Sequence, residues 1–135
     1  MLQVVAALIE RNGRVLICRR TAQQAHPLKW EFPGGKVEPA ETPQEALARE
    51  LEEELAISQA AGLELTRSRF TYPGKPPVEL IFYRVSAFVG EPKNLIFHEI
   101  RWALPSELPN FDFLEGDREF IEWYAASAGR DLRLY

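Results

Sequence analysis

The sequence predicts one domain of the layered α/β or α+β class, and two stretches carry this prediction. Residues 43–55 are an uninterrupted run of good helix formers with one apolar side that must pack on a core. Residues 78–89 form the longest β pattern and are largely apolar in both phases, as is typical of a strand covered on both faces. A helix beside such a sheet makes a layered domain. At 135 residues, with no linker or repeat, we expect a single domain over 1–135.

Composition narrows the class of protein further. A hydrophobic fraction of 46% with 27% charged residues is typical of a folded globule rather than a disordered chain. The formal net charge of −4 argues against a nucleic-acid polymer as the main ligand, because such binders usually carry basic faces. Cys18 is the only cysteine, so an internal disulfide is excluded, and its apolar neighbours predict a buried thiol. The apolar run at 4–9 is too short for a membrane span and lacks the basic start of a signal peptide, so we expect a cytoplasmic protein.

The first elements are predicted to be strands. The run at 4–9 is consistent with a central strand, and Asn12-Gly13 gives the strongest short hairpin signal. Residues 15–18 form the returning strand. This strand ends at Arg19 and Arg20. The simplest interpretation for one of these two arginines is a solvated charge at the end of a strand.

A glycine turn precedes the long helix. The polar loop at 21–29 contains His26, to which we assign no role, and residues 30–32 form a short strand. The turn Pro33-Gly34-Gly35 follows. Its two glycines allow the backbone to approach a ligand closely.

The helix that follows has well-marked start signals. Thr42 is a suitable N-cap, Pro43 suits the first turn, and Glu45 stands where a capping-box acid reaches back to the cap. The helix is expected to end near residues 55–57.

The faces of this helix are chemically distinct. At about 100° per residue, an apolar stripe runs beside a stripe of carboxylates; the former comprises Leu47, Leu51 and Leu55, the latter Glu50, Glu53 and Glu54. Glu52 points toward solvent, and Glu45 is spaced for an i,i+4 pair with Arg49. A glutamate-rich helix is usually a solvated surface. Crowded carboxylates beside a core become favourable together when a divalent cation lies among them.

The rest of the chain predicts more strands and a final helix. Residues 63–72 are predicted to form a strand. Its apolar residues switch from one face of the strand to the other along its length, which indicates a bulge near 66–69. After a turn at 73–77 and the strand at 78–89, residues 100–102 form a short strand. The later elements are at most one helical turn at 105–108 and a helix at about 115–128, closed by Gly129.

The stretch from Gly35 to Ile57 closely resembles the Nudix box. That pattern is Gly, five residues, Glu, seven residues, Arg-Glu, an aliphatic residue, any residue, Glu-Glu, any residue, Gly and an aliphatic residue. The residues at its fixed positions in this chain are Gly35, Glu41, Arg49, Glu50, Leu51, Glu53, Glu54, Ala56 and Ile57. Ala56 stands where Gly is usual, and would cost about 1 kcal/mol if the backbone there needs a positive φ. The resemblance extends over most of the chain to the MutT-like branch of Nudix hydrolases.

This resemblance implies a fold and a reaction. The fold is an α/β/α sandwich around a mixed β-sheet. The reaction is attack of water on a nucleoside diphosphate-X linkage, with Mg²⁺ as the cofactor and Mn²⁺ as a possible substitute. The branch includes pyrophosphohydrolases that convert nucleoside triphosphates, among them 8-oxo-dGTP and cytidine nucleotides, to the monophosphate and pyrophosphate. The partner is then a small nucleotide, with neither a nucleic-acid polymer nor a membrane, and the protein is a monomer or homodimer.

The resemblance also implies roles for individual residues. Arg49 would hold Glu50 in position, and Lys36 would meet a phosphate. Arg20 would contact the nucleotide. The metal ligands would be the carbonyl of Gly34 with the carboxylates of Glu50, Glu53 and Glu54. Phe32 and Asp117 match positions that line the base pocket.

One position departs from the family. Many MutT-like enzymes carry a further acid six residues before the tryptophan of the late strand, where this chain has Ile96. Either Glu99 serves as the catalytic base or a box carboxylate is sufficient. Asp117 also has two interpretations, a helix-start acid that complements the helix dipole or an acceptor for N–H donors of the base.

Three functions are compatible with the residues. The first is a divalent-metal-dependent nucleoside triphosphate pyrophosphohydrolase. The second is hydrolysis of ADP-ribose or another nucleoside diphosphate derivative, which the position of Pro73 after the box weakly favours. The third is a non-catalytic nucleotide-binding module, against which the intact set of box acids argues.

Overall fold

The computed structural model describes residues 1–127, which form eight strands and two α-helices. The strands are β1 (Leu2–Leu8), β2 (Glu10–Arg11), β3 (Arg14–Arg19), β4 (Trp30–Glu31), β5 (Gly34–Lys36), β6 (Ser58–Phe70), β7 (Val78–Val89) and β8 (Glu99–Ala103). The helices are α1 (Pro43–Leu55) and α2 (Arg118–Ala126). Two 3-10 segments, Pro105–Asn110 and Glu115–Asp117, precede α2.

The strands form two sheets that share a continuous segment of chain. The first sheet has the order β5-β1-β7-β6, in which β1 runs parallel to β7 and the other pairs are antiparallel. In the second sheet, β3 pairs with β2, β4 and β8, always antiparallel. Only Ile9 separates β1 from β2, so residues 2–11 pass directly from one sheet to the other. The predicted hairpin is confirmed, with positive φ at both Asn12 (52°) and Gly13 (76°).

The two helices cover opposite faces of the first sheet. Alternate residues of β1 point to opposite faces, so Val5 belongs to one core cluster and Ala6 to the other. Ala46, Leu47, Leu51 and Leu55 of α1 lie in the cluster of Val5, and Phe120, Ile121 and Tyr124 of α2 lie in the cluster of Ala6. This arrangement confirms the predicted α/β/α sandwich with a mixed sheet.

The start and end of α1 follow from its sequence. The Glu45 N–H donates to Thr42 Oγ1 (3.1 Å), and the Thr42 N–H donates to Glu45 Oε1 (2.9 Å), which completes the predicted capping box. The helix ends at Ala56 in the left-handed conformation (φ 59°, ψ 26°), and its N–H donates to the carbonyl of Glu52. The usual glycine of the box is therefore replaced by alanine at a position that does need a positive φ.

Several predicted details of these elements were wrong. β6 begins at Ser58 rather than at residue 63, and it ends at Phe70 rather than at residue 72. Its pairing with β7 is regular from Thr66 to Phe70, and the irregularities lie earlier, between Ser58 and Gly62 and between Glu64 and Thr66. The 3-10 segment at Pro105–Asn110 is longer than one turn.

The final helix also differs from its prediction at the N-terminal end. Residues 115–117 form a 3-10 turn, and the α-helix begins only at Arg118. Residue 128 and the proposed stop at Gly129 lie outside the described residues. Within residues 1–127, no helix combines the length and apolar character needed to cross a membrane.

Candidate active site

A cavity of about 290 Å³ opens at the edge of the first sheet, beside the glycine turn. Six of the residues predicted to bind the metal or the substrate line it: Arg20, Phe32, Gly34, Lys36, Glu54 and Asp117. Glu50 adjoins it through Gly35, which is itself a wall residue. The sequence prediction therefore identified residues from the glycine turn, from α1 and from the segment before α2 that line one cavity.

Glu54 is the most buried carboxyl of α1. Its side chain lies under the glycine turn, where the Gly34 N–H donates to Oε1 at 3.0 Å, and only 8% of the residue is exposed. Burial, opposed by the Gly34 hydrogen bond and aided by the nearby charges of Glu50 and Glu31, raises the pKa of Glu54 to about 9. A carboxyl with this environment is charged at neutral pH only when a cation compensates it.

Glu50 lies on the same side of α1, one helical turn before Glu54. A Cβ on Gly35 would lie 2.6 Å from the Cδ of Glu50, so the absence of a side chain there leaves room for this carboxylate. Burial raises the pKa of Glu50, while its hydrogen bond from Arg49 Nη1 (2.9 Å) lowers it. Glu50 and Glu54 thus form a pair of partly desolvated carboxyls against two glycines.

Arg49 organises the acids at the start of the helix. Its Nε and Nη2 donate to the two carboxylate oxygens of Glu41 at 2.7 and 2.9 Å, and Nη2 also donates to the Lys36 carbonyl. This bidentate pair, with a further bond from the Glu38 N–H, lowers the pKa of Glu41 to about 2. The predicted pair of Arg49 with Glu45 was wrong, because Glu45 is bound to the N-cap.

Glu53 is more exposed than its two neighbours. Its side chain is 58% exposed and accepts from Arg49 Nη1 at 3.3 Å. Glu52 is exposed and points away, as predicted.

The acids fit a hard divalent cation by their chemistry. Every candidate ligand is an oxygen, and Glu54, whose pKa is raised to about 9 in the free protein, can release its proton when a cation binds beside it and Glu50. Within residues 1–127, no three Asp, Glu, His or Cys side chains already converge as a group that could hold a metal ion. Glu53 is held by Arg49 and would have to turn to join the pair.

Two basic residues line the cavity, and they differ in whether their side chains already have partners. Among the described residues, the Lys36 ammonium has no ion pair or hydrogen bond, so it is available to a phosphate. Arg20 is already engaged, because Nη1 donates to both carboxylate oxygens of Glu31 (3.2 Å each) and Nε donates to the Ala25 carbonyl.

Phe32 and Asp117, the two residues predicted for the base pocket, both line the cavity. Phe32 is buried there among the rings of Phe82, Phe113 and Phe120. Asp117 is 6% exposed, stands at the N-cap of α2 and makes no side-chain cap hydrogen bond. Burial, and next the charge of Glu31, raise its pKa to about 8. Asp117 therefore does stand at the start of α2, but its side chain does not cap the helix by a hydrogen bond, and its raised pKa favours the neutral carboxyl in the free protein.

Glu99 lies elsewhere. It begins β8, where Arg19 (3.6 Å) and Arg101 (3.1 Å) pair with it, and it is not among the cavity walls. Ile96, which replaces the usual loop acid, does line the cavity. The structure therefore does not bring Glu99 together with the other predicted site residues.

Sequence reasoning missed three residues of the site. Glu41 was recognised only as part of the motif, and its two bonds to Arg49 were not foreseen. Glu31 and Tyr72 also line the cavity. The sequence could have pointed to Glu31 by its position after Trp30, in the strand that leads to the glycine turn. For Tyr72, which adjoins a turn, no feature of the sequence indicated a place in the site.

Comparison with known proteins gives consistent matches. The model of the NUDIX domain matches residues 1–124. The CTP pyrophosphohydrolase of Escherichia coli (strain K12) is 35% identical over 126 residues, which are 93% of each chain. The 8-oxo-dGTP diphosphatase of Haemophilus influenzae is 40% identical over 93 residues, 68% of each chain. The crystal structure of a MutT NUDIX hydrolase from Burkholderia pseudomallei superposes with a TM-score of 0.79 at 27% identity, covering 89% of this chain and 95% of that one.

Proposed function

Because the chain belongs to the Nudix family of hydrolases, we propose that it cleaves nucleoside triphosphates to the monophosphate and pyrophosphate. Members of this family typically use divalent metal ions, and we propose Mg²⁺ here, with Mn²⁺ as a substitute. The observation that carries this proposal is one cavity that is lined both by Glu54 and the glycine turn and by Phe32 and Asp117. A nucleotide bound there would have its phosphates near the glycine turn and its base near Phe32.

The phosphate end can be described from the chain's own residues. Lys36 is free to meet a phosphate oxygen, and Arg49 fixes both Glu41 and Glu50. Gly34, Glu50, Glu53 and Glu54 are the candidate ligands of the cation. When bound, a divalent cation would offset phosphate charge and lower the pKa of a coordinated water.

A box carboxylate is our candidate for the catalytic base. Attack of water on a phosphorus atom breaks the bond to the pyrophosphate leaving group, and the water's proton must pass to an acceptor. Glu53 is the most exposed of the three box acids on the carboxylate stripe, and Glu99 is paired away from the cavity. A rate profile against pH for Glu99→Gln tests this assignment. A slow variant with a shifted profile would restore Glu99 as the base.

The base end favours a nucleotide with an exocyclic amino group. Asp117 is a buried carboxyl without a partner on the helix, and Phe32 supplies an aromatic wall. The relatives act on CTP and on 8-oxo-dGTP, by their names. We propose cytidine triphosphates as the first substrate class and oxidised guanine nucleotides as the second. A cytoplasmic location and a monomeric or homodimeric state remain predictions from the sequence.

A hydrolysis screen tests the proposed function directly. CTP, dCTP, 8-oxo-dGTP, UTP, dTTP and ADP-ribose are incubated with Mg²⁺ or Mn²⁺, and the products are identified by ion-exchange chromatography. We expect cytidine monophosphate and pyrophosphate from CTP. Release of inorganic phosphate alone, or turnover only of ADP-ribose, would contradict the proposal. Nucleotide binding without any turnover would favour the non-catalytic module.

A further inference from the structure

Tyr72 lies in the cavity wall and has no role in the proposal above. It follows the end of β6, and its ring is held between two others, with ring centres 4.6 Å from Phe70 and 4.8 Å from His26. His26, which the sequence left without a role, therefore helps to fix this ring. The position of the Tyr72 hydroxyl is set by packing on both sides.

The hydroxyl oxygen has a fixed hydrogen bond. It accepts from the Gly116 N–H at 3.1 Å, and a Cβ on Gly116 would lie 2.9 Å from it, so only glycine allows this approach. Across residues 1–127, no group is paired as an acceptor of the hydroxyl proton. The proton is therefore available to a ligand in the cavity, as a donor.

This donor stands beside Asp117. Gly116 and Asp117 are consecutive in the 3-10 turn that Tyr72 holds, so the tyrosine also positions the carboxyl. Asp117 is almost completely buried, whereas Tyr72 is only partly buried. A base that enters with its exocyclic group first would bring that group to Asp117 and the adjacent ring atom to Tyr72.

Asp117 alone does not distinguish the bases. Burial raises its pKa to about 8, and a neutral carboxyl both donates and accepts. It could accept from an amino group or donate to a carbonyl. The Tyr72 hydroxyl, whose oxygen already accepts from Gly116, is left with a donor only.

We propose that Tyr72 is a specificity-determining residue, which reads the unprotonated ring nitrogen beside the exocyclic amino group of the base. Cytosine and adenine present this edge. Uracil and thymine present a ring N–H at the matching position, which would set one donor against another. Guanine has N1–H on one side of its amino group and the unprotonated N3 on the other, so a guanine nucleotide fits only when N3 faces Tyr72. This inference rests on the proposed hydrolysis of nucleoside triphosphates and adds the atom that the enzyme recognises.

The test removes one partner of this hydrogen bond at a time. Tyr72→Phe keeps the ring between Phe70 and His26 and deletes the hydroxyl, and 3-deaza-CTP replaces the N3 acceptor of CTP with C–H. For CTP we expect KM to rise about tenfold in Tyr72→Phe with little change in kcat. For 3-deaza-CTP, Tyr72→Phe and wild type should have equal KM values within about twofold. Tyr83→Phe, which removes a hydroxyl from a β7 residue outside the cavity, is the matched control.

Three results would overturn the inference. They are an unchanged KM for CTP in Tyr72→Phe, an equal loss with CTP and 3-deaza-CTP, or an equal loss in Tyr83→Phe. A thermal melt of each variant shows whether it is folded.

If wild type cleaves no triphosphate, the proposed function fails instead. Recognition of the base is then tested by itself, by calorimetric binding of CMP and 3-deaza-CMP to wild type and to Tyr72→Phe. A tenfold loss for CMP alone supports it, and equal losses reject it.

Discussion

Gly35 and Glu50 fit together closely, because a Cβ on Gly35 would lie 2.6 Å from Cδ of the Glu50 side chain. The obstacle is the end of a flexible side chain, so Gly35→Ala should fold and displace the carboxylate. We expect kcat/KM to fall about 100-fold and the dependence on Mg²⁺ concentration to move to higher concentration. Steady-state kinetics with a metal titration measures both.

Gly74→Ala is the matched control for this substitution. Gly74 has φ +74° and nothing within 4 Å of its Cβ direction, so its variant should lose about 1 kcal/mol of stability while retaining activity. Equal activity in Gly35→Ala and wild type would remove Glu50 from the site.

Replacing Glu53 or Glu54 by Gln should lower hydrolysis by about 100-fold or more, because each would lose charge that offsets the cation. Glu54→Gln should keep its melting temperature near pH 7, since a neutral amide replaces a carboxyl whose pKa is raised to about 9 and can still accept from Gly34. Glu52→Gln is the control. A loss in Glu52→Gln as large as that in Glu53→Gln would contradict the assigned faces of α1.

Arg49→Lys should lower kcat by about tenfold or more, although the positive charge is kept. Lysine cannot reproduce the two bonds to Glu41 and the bond to Glu50 at once. Arg67→Lys is a suitable control, because Arg67 pairs with Glu64 and Glu79 on the first sheet, away from the cavity. The kinetics of the two variants are measured in parallel. An equal loss of kcat in both would reject the role assigned to Arg49.

Ala56→Gly should stabilise the protein by about 0.5–1 kcal/mol, since glycine adopts the left-handed C-cap conformation without strain. Ala48→Gly, inside α1, should have the opposite sign and a similar size. Urea unfolding curves of the two variants measure these differences. Activity should not change in Ala56→Gly.

Asp117→Asn should change how stability depends on pH. The Asp117 pKa rises from its ordinary value near 3.8 to about 8 on folding, so the folded state keeps a proton that the unfolded state loses. Wild-type stability relative to Asp117→Asn should therefore fall as pH rises from about 4 to about 8 and then level off. Melting temperatures at several pH values test this. A constant difference between the two proteins would show that the carboxyl is solvated.

Local signals in the sequence predicted the parts of the fold that depend on neighbouring residues. Thr42, Pro43 and Glu45 fix the start of α1, and the spacing of its leucines fixes the buried face. The start of β6 was missed because its irregular pairing near Ser58 breaks the alternation on which strand prediction depends.

The site was predicted less completely than the fold, for a physical reason. The Nudix motif supplied the acids, but the partner of Arg49 was set by the turn that brings Glu41 back over the helix. The protonation of Asp117 depends on burial, and the contact of Tyr72 with Gly116 joins residues 44 positions apart. Only tertiary structure creates these relationships.

The parallel pairing of β1 with β7 joins Leu2 to Val78 and Gln3 to Glu79, 76 residues apart. During synthesis, β1 therefore cannot pair with β7 until more than half of the chain has left the ribosome. Both core clusters take residues from β1, so neither can close before then. We expect folding on the ribosome to begin late and to be limited by this distant contact rather than by α1, which needs only its own turn and caps.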